Sequence, residues 1–138
     1  MPTYGIRDAA ELLHVSDDTV RRWIESGRLT ATAAGKGPKQ IGGVELARLA
    51  RSLGEATRVP STASASARNR FLGIVTEVKR DKVMAQVEVQ CGPYRVVSLL
   101  SREAADELGL DPGVQVVTSI KATNVTVERP RGSRSGQG

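Results

Sequence analysis

Ser66-Ala67-Arg68-Asn69 and Lys121-Ala122-Thr123-Asn124-Val125 bracket the part of the chain where its character changes. Each stretch sets one cation among small and polar residues, and about one small domain's length of chain separates them. Before the first, apolar residues recur at the three-and-four spacing of helices. Between the two they alternate, as in half-buried strands. The chain therefore reads as α+β, with a helical N-terminal part and a β-rich C-terminal part.

Moving inward from Asn69, Leu72, Ile74, Thr76 and Val78 alternate with Phe71, Gly73, Val75 and Glu77. Arg80-Asp81-Lys82 turns the chain into Val83, Ala85, Val87 and Val89, and Cys91-Gly92-Pro93 turns it again. Strands are predicted over 71–78, 83–89, 94–100, 114–121 and 124–128, with a helix over 101–108. Five short strands and one short helix between the third and fourth predict a five-stranded OB-like β-barrel. Tyr94 and Cys91 read as turn and strand residues without a further role.

Moving outward from Ser66, residues 54–65 are alanine, serine and threonine around Pro60, a composition that predicts a flexible linker. Upstream, Ala9 or Ala10 with Leu12 and Leu13 predicts one short helix. Ser16 then stands as an N-cap, and Asp17 and Asp18 favour the first turn of a second helix through its dipole. In that helix Val20, Trp23 and Ile24 share a face, while Asp18, Arg21, Arg22 and Glu25 point away from it. Gly27 ends it. Gly35-Lys36-Gly37-Pro38-Lys39 reads as a hairpin tip, and Val44, Leu46, Leu49, Ala50 and Leu53 as a third helix closing a small core. The expected domains are 1–53, a linker 54–65, 66–128, and a disordered basic tail 129–138.

Two short helices joined by a tight turn have the geometry of a helix-turn-helix, whose second helix enters the major groove. The stretch Ala9-Ala10-Glu11-Leu12-Leu13-His14-Val15-Ser16-Asp17-Asp18-Thr19-Val20-Arg21-Arg22-Trp23, followed by Gly27-Arg28-Leu29, resembles the winged helix-turn-helix of the MerR and excisionase-like families. His14 stands where those families usually carry glycine, and histidine tolerates the left-handed turn expected there. The resemblance implies double-stranded DNA as partner. Ser16, Asp18, Thr19, Arg21, Arg22 and Arg28, with Lys36 and Lys39 of the wing, are the residues expected to face it. An ordinary solvated face is the plain alternative for Arg21 and Arg22, whereas Trp23 reads as core.

The second half resembles the Mop, or TOBE, domain of molybdate-binding proteins. The resemblance rests on Ser66-Ala67-Arg68-Asn69, Leu72-Gly73 with Val75, Ser98 through Ser101, Leu108-Gly109-Leu110, and Lys121-Ala122-Thr123-Asn124-Val125. It implies molybdate or tungstate as ligand, held at subunit interfaces of a homo-oligomer (dimer to hexamer). Such a dianion has four acceptor oxygens and no proton, so its site needs donors only. Carried over by position, Arg68 and Lys121 would neutralise charge and Ser66, Ser98 and Ser101 would donate hydroxyls. Backbone amides near Ala67, Asn69, Ala122 and Thr123 would complete the shell. Ser101 has a second reading as a plain helix cap, and Lys121 and Arg68 as solvated charges.

Lysine and arginine number 20 against 15 aspartates and glutamates, a net charge of +5. Up to Arg70 the balance is 11 to 7, over 71–128 it is 6 to 8, and the last ten residues add 3 arginines. The surplus thus sits in the half expected to meet phosphate. One cysteine, Cys91, and one histidine, His14, leave no Cys/His set for a metal cation, so molybdenum is expected only as the oxyanion. No organic cofactor and no catalytic constellation is expected, and Gly35-Lys36-Gly37 lacks the strand and spacing of a P-loop. No signal-peptide pattern or membrane-length apolar run is seen, so the expected location is the cytoplasm. The leading expectation is a molybdate-responsive transcription regulator. Storage of the oxyanion and architectural DNA binding remain as alternatives.

Overall fold

A computed structural model describes residues 2–33, 36–55 and 69–131. The expected linker falls almost wholly, and the expected tail mostly, outside them. The chain divides into two compact units, one of Met1–Thr57 with Val127–Gly138 and one of Arg58–Thr126.

In the first unit, β1 (Thr3–Tyr4) leads into α1 (Ile6–Leu13) and α2 (Asp17–Glu25), then β2 (Ala31–Thr32), β3 (Gln40–Gly42) and α3 (Gly43–Glu55). The small antiparallel sheet has the order β1-β3-β2. Ala9 and Ala10, 0% and 3% exposed, let α1 approach its neighbours closely, and Val20, Leu29, Ile41, Leu46 and Leu49 fill the same core. Trp23 and Ile24 pack against it from α2, as the shared face predicts. Two predicted core positions face outward: Leu12 is 55% and Val44 47% exposed. The buried stripe of α1 runs through Ile6, Ala9, Ala10 and Leu13, which leaves Leu12 on the opposite side.

The turn between α1 and α2 follows from its residues. His14 takes φ 54° and ψ 48°, the left-handed conformation expected of it. This lets the Val15 N–H donate to the Ala10 carbonyl at 3.0 Å. Ser16 accepts from the Thr19 N–H at 3.1 Å and so caps α2. At the other end Gly27 has φ 83°, where a β-carbon would be strained. Arg28 and Leu29 then donate back to the Trp23 carbonyl.

The second unit is built on β4 (Asn69–Arg80), β5 (Met84–Cys91), β6 (Tyr94–Ser101), α4 (Arg102–Glu107) and β7 (Gln115–Ile120). All pairings are antiparallel, in the order β6-β5-β4-β7. The long β4 serves two partners: its first half pairs with β7 and its second half with β5. Between them a bulge at Thr76 shifts the register from Val75↔Val89 to Glu77↔Glu88. The extra residue reverses the inward parity, so the core receives Val75 and then Val78 rather than one unbroken alternating set. Simple alternation had placed those two valines on opposite faces. Close approach of β4 and β5 requires Gly73, since a β-carbon there would lie 2.6 Å from Cys91 Sγ and 2.8 Å from the Gln90 carbonyl.

Arg80 closes the other end of the unit. Its Nε donates to Asp106 at 3.1 Å, and one terminal nitrogen reaches the Leu110 carbonyl at 2.6 Å and the other Asp111 at 3.5 Å. These bonds hold α4 and the turn after it against the sheet, with Ala105 and Leu110 buried beneath.

The predicted fifth strand over 124–128 does not form, and the sheet is an open four-stranded one rather than a closed five-stranded barrel. After Ile120 the chain makes a 3-10 turn over Ala122–Asn124, in which Asn124 N–H donates to Lys121 and Val125 N–H to Ala122. Those donors are spent locally. Val125 and Val127 are left 44% and 91% exposed, and 125–130 carry no ladder among the described residues.

Candidate functional site

In the second unit, Asn69, the described residue of the first bracketing stretch, meets the second stretch where β4 begins and β7 ends. Asn69 pairs with Ile120, and its Nδ2 donates to the Ile120 carbonyl at 3.0 Å. That bond sets the start of β4 beside Lys121, Ala122 and Thr123, all exposed. Asn69, Lys121, Ala122 and Thr123 of the predicted oxyanion set are therefore brought together by the chain's own register. Ser66, Ala67 and Arg68 lie outside the described residues.

The two remaining serines are placed differently. Ser98 stands on β6 opposite Val87. It lines a cleft of about 370 Å³ that also touches Thr118, Ser119 and Ile120 of β7. The sheet therefore curls enough for both edge strands to border one space. Ser101 pairs with Met84, next to the β4–β5 turn, while Lys121 follows the residue paired with the first residue of β4. The two thus belong to opposite ends of β4, on the order of 35 Å apart along the strand. Ser101 Oγ accepts from the Ala104 N–H at 3.0 Å, and so caps α4. Within one chain Ser101 does not join the Lys121 cluster.

Two neighbours of the cluster were not in the predicted set. Arg70 pairs with Ser119 across β4 and β7. Alternation along β7 puts Ser119 on its face, and Lys121, one residue past the strand with φ −60° and ψ 139°, continues that alternation. The Arg70 Nε is buried and makes no hydrogen bond among the described residues. A lone arginine in a strand gives no sign in the sequence of whether its donors are met.

In the first unit, the exposed face of α2 is held by a short chain of bonds. Ser16 Oγ and Thr19 Oγ1 lie 2.9 Å apart, and Arg22 Nη2 donates to Thr19 Oγ1 at 3.0 Å. Arg21 Nη1 sits 3.4 Å from Asp18 Oδ1, the two side chains being 56% and 89% exposed. Such a pair contributes little stability in water, but it restricts where the guanidinium points. The Arg28 guanidinium lies over the Trp23 ring, 5.4 Å from its centroid. Trp23 is thus core on one side and an arginine platform on the other. Lys36 and Lys39 are exposed between β2 and β3. All eight residues predicted to face DNA lie in this unit, six on or around α2 and two on the hairpin.

Among the described residues, no cluster of three His, Cys, Asp or Glu side chains could hold a metal cation. Nor is any described helix long and apolar enough to cross a membrane. Cys91 is buried.

Comparison with known proteins separates the same two units. The TOBE domain family matches residues 65–127, and a helix-turn-helix domain family matches residues 3–59. Molybdenum-pterin-binding protein 3 of Clostridium pasteurianum is 35% identical over 65 residues, covering 46% of this chain and 96% of that protein. Molybdenum-pterin-binding protein 1 of the same organism is 32% identical over the same length, with the same coverage. Among solved structures, MopII from Clostridium pasteurianum is similar at 31% identity and a TM-score of 0.45, over 48% of this chain and 100% of that one. A molybdate binding protein from Sporomusa ovata is similar at 27% identity and a TM-score of 0.46, over 48% and 98% respectively. The chain belongs, through its C-terminal unit, to the TOBE domain family of these molybdenum-pterin-binding proteins, and it carries that domain behind a helix-turn-helix domain.

Proposed function

We propose that this protein is a molybdate- or tungstate-responsive, DNA-binding transcription regulator without catalytic activity, acting in the cytoplasm. The observation that carries the reading is the union in one chain of a helix-turn-helix with an arginine-bearing exposed face and a TOBE domain whose Asn69 and Lys121 ends are locked together. The second helix, α2, enters the major groove, where arginine reaches both guanine edges and phosphate oxygens. Lys36 and Lys39 on the β2–β3 wing add phosphate contacts. The oxyanion binds through donors alone, with Lys121, the amides of Ala122 and Thr123, and the Ser66-Ala67-Arg68 segment supplying charge and hydrogen bonds.

The site is completed between copies. Ser101 and Lys121 are separated within one chain, so a hydroxyl at Ser101 would reach an oxyanion held at Lys121 of another copy. The exposed Val125-Thr126-Val127 segment, extended and without a ladder, supports the same homo-oligomer, because an apolar alternating strand gains by pairing elsewhere. Binding of the oxyanion changes DNA affinity only if the ligand prefers one subunit arrangement over another.

The test is thermal unfolding of the full chain in molybdate, tungstate, sulfate and phosphate at equal ionic strength, followed by DNA binding. A ligand at about a hundred times its Kd adds about 2.7 kcal/mol. A shift confined to molybdate and tungstate, with DNA affinity changed several-fold by saturating molybdate, is the expected result. Equal shifts in all four anions would remove the oxyanion reading. Unchanged DNA isotherms would instead favour storage, a second reading supported by relatives that consist almost wholly of the TOBE-matching region.

A further inference from the structure

The two arginines of β4 are in opposite situations. Arg80 has all three guanidinium nitrogens engaged, by Asp106, Asp111 and the Leu110 carbonyl. Arg70 has a buried Nε with no partner, and no carboxylate pairs with it among the described residues. A guanidinium cannot shed its proton to escape this. A buried, unmet donor on a permanent cation is costly unless something supplies acceptors.

Its surroundings say what that something is. Arg70 faces Ser119 across the β4–β7 ladder. Lys121 is the next residue on that face, at the diagonal position, where cross-strand side chains remain within reach of long side chains. The register thus sets two cations and a hydroxyl along one face, next to Ala122 and Thr123 in the chain, and the residues bordering Arg70 there, Val117 and Ser119 of β7 and Lys121 just past it, bring no carboxylate. The set offers donors only, and Arg70 and Lys121 are both cations. We propose that Arg70 is a further cationic ligand of this site, alongside Lys121, and that it selects doubly charged over singly charged tetrahedral oxyanions. This rests on the oxyanion reading above and assigns it a residue that neither bracketing motif contains.

The experiment measures binding of sodium molybdate and of perrhenate, a singly charged tetrahedral anion, to the full chain and to Arg70→Gln and Arg70→Met, with unfolding temperatures in the absence of either anion. Both variants are expected to bind molybdate at least tenfold more weakly, with a smaller loss for perrhenate. Without anion they should unfold at or above the wild-type temperature, because the unmet donor is gone. Molybdate affinity within twofold of wild type in Arg70→Gln would overturn the proposal while leaving the oxyanion reading intact. An equal loss for both anions would overturn the selectivity. A lower unfolding temperature with the molybdate shift retained would make Arg70 a structural residue. If the wild-type chain itself fails to bind molybdate, the oxyanion reading falls and this assignment with it.

Discussion

The two units differ in how far each satisfies itself. Among the described residues of the helix-turn-helix match, 3–59, Leu12 and Val44 are the large apolar side chains left exposed, and the polar groups along α2 partner one another. The described residues of the TOBE match, 65–127, expose twelve such side chains, among them Leu72, Ile74, Leu99 and Val127, and bury an unmet cationic donor. Scattered exposed leucines are ordinary. Twelve beside two, over stretches of similar length, support the proposal that the first part stands alone and the second is covered by copies. The contrast matches the proposed roles: a reader that docks as a rigid piece, and a sensor that completes itself with ligand and copies.

The largest test of that contrast concerns the cores. Ile41 is fully buried between the helices, and Ile41→Ala should destabilise the first unit by about 2–5 kcal/mol through lost burial and a cavity. Two-transition unfolding followed by Trp23 fluorescence, against molybdate protection of the second unit, should show only the first transition moving. Equal movement of both would mean that the units fold as one, and that the first is not self-sufficient.

A smaller effect sharpens the comparison, because each unit has a serine cap of the same design. Ser16 accepts from Thr19 N–H and Ser101 from Ala104 N–H. Ser16→Ala and Ser101→Ala should each cost about 1 kcal/mol in denaturant unfolding. Only the second should also weaken molybdate binding, if Ser101 reaches the oxyanion of another copy. Unaltered molybdate affinity would leave Ser101 as a cap alone.

The smallest expected effect is a pH dependence confined to the second unit. The backbone N–H of Met84, then that of Val83, hold the Asp81 carboxyl below its ordinary value. A lowered folded-state pKa means that its contribution is complete above the unfolded value near 3.8 and is lost as pH falls through the folded one. Asp81→Asn should therefore flatten the acid limb of the second unit's stability below about pH 4 and leave the first unit's unchanged. An acid limb of the same steepness in the variant would assign it to other carboxylates.

Much of this was legible along the chain because it depends on near neighbours. Helical spacing placed Val20, Trp23 and Ile24 on one face, the residue types at 14 and 16 set the left-handed turn and the cap, and alternation with turn residues located four of the strands. The order of the motifs named Asn69 and Lys121 together, and the β4–β7 register sets them side by side. The sequence by itself determined, then, which segments are helices and strands and which families the two halves resemble, since these follow from periods and local hydrogen bonds. Only the tertiary structure decided the rest. One extra residue at Thr76 reverses which side chains enter the core, a 3-10 turn after Ile120 takes the first two donors of the expected fifth strand, and Ser101 and Lys121 fall at opposite ends of β4. Whether a donor is met is likewise a property of what lies across the sheet, which is why Arg80 and Arg70, alike as letters, differ as chemistry.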